Sequence, residues 1–316
     1  MISRSTLIGA LVVVELGIVG VATEAIAGGS VYRPPNLFGQ APFGLPEHGA
    51  PGAQTAGLGR LHRSFAAGPT PHVVIDIHDI DVTVHGDGGY AVQVDDDLRK
   101  SGWVSGDFPV VTVQQSLDTV RIAAESPEGE HFAIGSYERR VHITVPMTAR
   151  LEVIGAGNMD VSALRSKLVA HIPAGQIHLR DHRGDVDIST GSGRITMVDV
   201  QGNDVAANTR DGRIYLTRVG ADRLNGTSAS GRIVGVDVRA VDGTLTTRDG
   251  RIILSFTGNS DATINAHTAD GHVRVSGLPI TESDEQRSVV RVGSGRGHFE
   301  VSTASGPISI TPGASI

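Results

Sequence analysis

Thr190-Gly-Ser-Gly193-Arg-Ile195 opens a phrase that the chain then repeats. It returns as Thr209-Arg-Asp-Gly212-Arg-Ile214, Ser228-Ala-Ser-Gly231-Arg-Ile233, Thr247-Arg-Asp-Gly250-Arg-Ile252 and Thr268-Ala-Asp-Gly271-His-Val273. The glycines lie 19, 19, 19 and 21 residues apart. A fixed period of about 20 residues is the signature of stacked coils, each unable to bury its own apolar face and so covered by the next. After each glycine the residues alternate, as in Arg194 out, Ile195 in, Thr196 out, Met197 in. A period of two is the period of a strand.

Stacking the coils in chain order places Ile195, Ile214, Ile233, Ile252 and Val273 in one inward column. Met197, Leu216, Leu254 and Val275 form a second, with Gly235 as a gap. A further apolar patch in each coil carries Val205, Leu224, Leu245 and Ile264, so each turn holds at least two strands. The Asp-Gly and Ser-Gly pairs read as corners. A turn of about 19 residues leaves no room for a helical crossover, so the strands pair in parallel from coil to coil. The fold expected is all-β: a single-stranded parallel β-solenoid with a less regular amino-terminal β cap, preceded by one apolar helix.

Working outward, residues 1–27 hold Arg4, an apolar run over residues 7–22 broken by Glu15, and Ala25-Ile26-Ala27. This pattern describes either a secretory signal cleaved after Ala27 or an uncleaved signal anchor. Both place the remainder outside the cytoplasm, in a periplasmic, cell-surface or membrane-anchored setting. Membrane contact is expected only through residues 7–22, if they are retained. Residues 28–70 contain nine glycines and six prolines, too little apolar surface to offset chain entropy, and read as a disordered linker. The folded domain is expected over 71–312, with irregular first coils over 71–150 and regular coils over 151–312. Thr303-Ala-Ser-Gly306 restates the corner phrase near the end.

The whole chain of 316 residues has 41 glycines, 4% aromatic residues, no cysteine and a formal charge of −7. Absent cysteines exclude disulfides and thiolate metal sites. The acidic balance, the scarcity of stacking aromatics and the export signal all oppose a nucleic-acid partner.

An exported amino terminus, Val141-His-Ile-Thr-Val-Pro146, Leu151-Glu-Val153 with Gly157 and Val161, and serial corners ending in Gly-x-Ile together resemble the bacterial putative-adhesin family built on domain of unknown function 4097. The likeness covers about residues 70–312. It implies a β-solenoid at the cell envelope and brings no catalytic residues. This chain departs from the acidic or neutral residue common after the corner glycine by placing Arg194, Arg213, Arg232 and Arg251 there.

Those four arginines are the candidate site, and Gly193, Gly212, Gly231, Gly250, Gly271 and Gly306 are the structural corners. A ladder of guanidinium groups one strand apart suits repeated carboxylates or phosphates on a polyanion. The plainer reading is a solvated outer face in which Asp211, Asp249 and Asp270 screen Arg213, Arg251 and His272. Enzymatic material exists in those aspartates and in His171, His178, His182, His267 and His272, but nothing singles out a carboxylate pair. Asp76, Asp79 and Asp81, and Asp181 between His178 and His182, have metal-ligand types without the glycine-bearing loop of a calcium site. No metal or cofactor is expected. Arg183-Gly184-Asp185 reads as turn chemistry. The function expected is that of a non-enzymatic envelope or surface protein, an adhesin or scaffold whose flat outer face contacts envelope polymers or other envelope proteins. The alternative is a carbohydrate-active enzyme, a polysaccharide lyase or hydrolase.

Overall fold

The computed structural model describes residues 57–105, 110–125 and 132–313. The expected signal or anchor segment with its apolar helix, and the first part of the expected linker, lie outside the described residues. Among the described residues every regular element is a strand, and all twenty belong to one sheet. The sheet wraps around a continuous apolar core and nearly closes on itself.

Through the middle of the domain the strands run parallel at the repeat spacing. Ile177 pairs with Met159 on one side and Ile195 on the other, and Ile233 pairs with Ile214 and Ile252. These isoleucines are 0–1% exposed, and burial of each such side chain stabilises the fold by roughly 1.5–3 kcal/mol. Gly235 is no gap. It pairs with Leu216 and Leu254, and the Leu254 and Val238 side chains fill the space a Cβ would take.

The corner phrase has a structural cause. A Cβ at Gly212 would stand 1.7 Å from the Gly193 carbonyl oxygen, and one at Gly231 would stand 1.7 Å from that of Gly212. Only glycine lets successive corners approach so closely. The residue three places earlier caps the same carbonyl: Ser228 Oγ donates to Gly212 O at 3.1 Å, and Thr247 Oγ1 to Gly231 O at 3.1 Å. Thr268 and Thr303 make the same coil-to-coil bond, whereas Thr190 bonds Ser192 O within its own coil and the buried Thr209 hydroxyl has no partner among the described residues.

The purely parallel solenoid is corrected at both ends, where the sheet turns antiparallel. Gly57–Ala66 pairs antiparallel with Ala91–Ser105, which pairs antiparallel with Phe132–Pro146. Val110–Ser116 and Thr119–Glu125 form an antiparallel hairpin. At the other end Arg287–Val292 runs antiparallel to both Ala262–Asp270 and Ile280–Ser283. The physical reason is the edge: a bare terminal coil would expose a full row of unpaired backbone groups, and a folded-back hairpin covers it. The buried Asp96–Arg139 ion pair ties Ala91–Ser105 to Phe132–Pro146. Gly57–Ala66, expected within the linker, is a strand, and its carboxyl end passes into Ala67 in the core.

Chain order is broken as well. His72–Asp76 lies between Thr119–Glu125 and Arg150–Ile154, and Asp81–Asp87 lies between Phe132–Pro146 and Met159–Ser162. The same arrangement recurs at the carboxyl end. Gly297–Ser305 sits between Ile233–Asp249 and Ala262–Asp270, and Ile308–Pro312 sits between Ile252–Phe256 and Val273–Val275. The last coil in sequence is thus the penultimate one in space, so the expected contact of Ile252 with Val273 is replaced by Ile252–Ile308–Val273. Phe299, carried on the inserted coil, meets Phe256 edge to face with ring centroids 5.4 Å apart.

Candidate functional site

Two corners of the stacked coils carry chemistry on their outer faces. The first is the glycine corner. Gly193, Gly212, Gly231 and Gly250 stack directly, so the arginines that follow them stand on four successive coils, about 4.8 Å apart. Arg194, Arg213, Arg232 and Arg251 are all exposed. Arg194 lies over the Tyr215 ring at 5.7 Å. None of the four has an ion-pair partner among the described residues. Arg210 and Arg248 add two more cations just before the corner, against Asp211 and Asp249. Ser230 pairs with Asp249, which pairs with Ser305, which pairs with Asp270. Carboxylates and hydroxyls therefore alternate along that column. The ladder ends at Arg251, because Pro307 of the inserted coil follows it and His272 comes one coil later.

The second corner has no fixed phrase in the sequence. Ala163, Asp181, Asp199, Arg218 and Asp237 recur at 18 or 19 residues and all adopt the left-handed conformation, with φ of 60, 50, 57, 52 and 55°. None is glycine, so each costs about 1 kcal/mol or more. Two residues further on stand Arg165, Arg183, Gln201, Gly220 and Arg239. Together these columns line a groove of about 750 Å³ that ends at Thr257, Gly258 and Asn259.

Charges within the groove are partly matched. Arg218 grips Asp199 through two bonds, Nε to Oδ1 at 2.5 Å and Nη2 to Oδ2 at 2.7 Å. That pairing holds the Asp199 carboxyl below its usual range and raises the Arg218 guanidinium. Arg239 Nη2 donates to Gln201 Oε1 at 3.3 Å, reaching over Gly220. Behind the groove, His182 is 0% exposed, and neither ring nitrogen has a hydrogen bond of normal geometry. Loss of water pushes its pKa down to about 4, and the nearby Gly184 and Asp185 backbone and the Asp185 charge only partly oppose this.

The remaining candidates serve local structure. Asp76 pairs with Arg121 and His78, Asp79 takes a left-handed φ of 58°, and Asp81 accepts from the Asn158 backbone and side chain. His171 bonds Ser189, His178 lies beside Asp160, and His267 lies beside Glu300. Within Arg183-Gly184-Asp185, a Cβ at Gly184 would stand 2.5 Å from the Ser166 carbonyl oxygen. Asp185 accepts from the Asn203 and Asp204 amides. Among the described residues no group of three or more His or carboxylate side chains is placed to hold a metal ion.

A family model, Toastrack DUF4097, matches residues 73–311. The chain belongs to the Toastrack family. That domain is one of unknown function. The solved structures most like this Toastrack chain include a putative adhesin from Parabacteroides distasonis, 11% identical, covering 80% of this chain and 97% of that one with a TM-score of 0.52. A putative adhesin from Parabacteroides merdae is 12% identical over 81% and 95% of the two chains, with a TM-score of 0.46. A third, called a putative lipid binding protein from Parabacteroides distasonis, is 13% identical over 81% and 95%, with a TM-score of 0.45. At such identities the likeness is one of fold. No curated protein matches the chain.

Proposed function

We propose that this Toastrack protein is a non-enzymatic binding or scaffolding component of the cell envelope, exported from the cytoplasm, and that the glycine corner is its contact face for a polyanionic polymer. The observation that carries the reading is the run of four exposed arginines on successive coils, none of them in an ion pair with a described residue. In a chain of formal charge −7, such a concentration of guanidinium groups outside any ion pair marks one face apart from the rest. A rigid ladder with one guanidinium per strand spacing presents many weak contacts at once, and a repeating ligand engages them with gain from multivalency. A solved structure of like fold that is named a putative adhesin supports an adhesive role.

Co-sedimentation of the purified protein with polygalacturonate or polyphosphate immobilised on beads tests the reading. Retention at low salt that is lost at high salt, and lost in an Arg213→Ala, Arg232→Ala, Arg251→Ala variant, is the expected result. Equal retention of wild type and variant contradicts it.

A further inference from the structure

The groove along the left-handed corner differs in character from end to end. At one end Arg165 and Arg183 stand on neighbouring coils, linked by the Arg183 amide donating to the Leu164 carbonyl at 2.8 Å. Neither guanidinium has a partner among the described residues. Where three of the other coils carry Asp181, Asp199 and Asp237, this end has Ala163, with Met147 beside it. The middle holds one matched charge pair and one cation tethered by an amide. Asp199 neutralises Arg218, Gln201 holds Arg239, Val219 is buried, and Gly220 contributes no side chain. At the far end Gly258 is open, since a Cβ there would meet nothing within 4 Å.

The result is a pair of unpartnered arginines on neighbouring coils at the head of a trough that continues for about four strand spacings, roughly 20 Å, and whose surface is mainly the carbon of its lining side chains. Its volume of about 750 Å³ is that of a small-molecule site, and such sites join an apolar lining to a few convergent polar groups. Guanidinium pairs bind phosphate and carboxylate through charge-assisted, often bidentate hydrogen bonds. Beyond that pair the lining carries both signs, Asp181, Asp199 and Asp237 beside Arg218 and Arg239, so a repeating polyanion meets a carboxylate on most coils. An uncharged chain behind a single anionic head meets no such conflict.

We propose that this groove binds a linear amphiphile whose anionic head, a phosphate monoester or a carboxylate, lies between Arg165 and Arg183, and whose alkyl chain runs along the trough towards Gly258. The site is separate from the glycine-corner ladder and does not depend on it.

Isothermal titration of the purified protein with octyl, dodecyl and hexadecyl phosphate, below their micelle concentrations, tests this. Inorganic phosphate and dodecyl maltoside serve as the head-only and neutral-head arms. One saturable site is expected for dodecyl phosphate, tightening roughly two- to fourfold for each added methylene along the series and at least tenfold weaker for Arg165→Ala or Arg183→Ala. Both arginines are exposed, so unchanged circular dichroism in these variants is expected to confirm the fold. Gly258→Phe, which adds a side chain into open space, is expected to abolish the gain from dodecyl to hexadecyl while leaving octyl phosphate unaffected. The proposal is overturned if inorganic phosphate binds as tightly as dodecyl phosphate, if dodecyl maltoside binds equally well, if no phosphate ester binds, or if Gly258→Phe leaves the chain-length dependence intact. The Arg213, Arg232 and Arg251 alanine variant is expected to keep full amphiphile binding, so failure of the ladder reading and failure of this one are told apart.

Discussion

The Thr303 hydroxyl donates to the Gly250 carbonyl at 3.1 Å, while Thr268, the nearer residue in sequence, donates to Gly306 at 3.0 Å. These two bonds mark the inserted coil from the side of the hydroxyls, as strand pairing and glycine contacts do from the backbone. The order of stacking is open to direct test, because the chain has no cysteine. Thr246 pairs with Ser302 of the inserted coil, with their hydroxyls 3.0 Å apart. Thr246→Cys with Ser302→Cys is expected to form a disulfide under mild oxidation. Thr246→Cys with His267→Cys, separated by the inserted coil at about 10 Å, is beyond the reach of such a bond. Mass spectrometry of tryptic fragments distinguishes the two.

The aromatic contact made by the insertion has a measurable energy. Phe299→Ala removes a side chain that is 0% exposed and is expected to destabilise the domain by about 3–5 kcal/mol. In a cycle of Phe256→Leu and Phe299→Leu, urea unfolding is expected to show coupling of about 0.5–1.5 kcal/mol. Additive losses would mean that the rings do not meet.

Glycine substitutions separate corners from open turns. Gly212→Ala sets a methyl group 1.7 Å from the Gly193 oxygen, so two coils must part, and a loss of about 3 kcal/mol or more is expected. Gly258→Ala meets nothing and is expected to be neutral or to stabilise by up to about 1 kcal/mol through the unfolded chain. Urea midpoints at constant slope check both.

His182 gives the domain a pH dependence. Its pKa is held down to about 4 in the fold, against 6.5 when exposed, so the unfolded chain takes up the proton more readily. Stability from this residue is complete above pH 6.5 and is lost as pH falls towards 4, by an amount on the order of 3 kcal/mol. His182→Val, which matches the Val200 that pairs with it, is expected to flatten the profile over that window. An unchanged profile between pH 7 and 4 would assign the dependence to other groups.

How much of this the sequence shows depends on what each residue sees. The inward columns and the Thr/Ser-x-x-Gly phrase are visible because every interior coil solves the same packing problem with the same residues. Stacking order is not, since the phrases around Gly250, Gly271 and Gly306 are interchangeable, and any of them presents the same carbonyl and hydroxyl to its neighbour. The terminal hairpins answer an edge problem rather than a core problem, so strands such as Ile280–Ser283, exposed along its length, carry little apolar alternation. Gly57–Ala66 is likewise hidden by its glycine and arginine content. The groove is not legible in the sequence because its left-handed corner uses Ala163 and Arg218 beside three aspartates, and only the aspartates are familiar in that conformation. The spacing of 18 or 19 residues through Asp181, Asp199 and Arg218 was the available signal.

The ladder at the glycine corner is tested most directly by the salt dependence of binding to polygalacturonate, measured for the purified protein and for single, double and triple alanine variants at Arg213, Arg232 and Arg251. Each arginine removed is expected to weaken binding and to reduce the slope of log affinity against log salt by a similar step, as equivalent cations displace counterions in turn. Affinity and slope that stay constant as the arginines are removed would contradict the assignment of this corner as the polyanion-binding face.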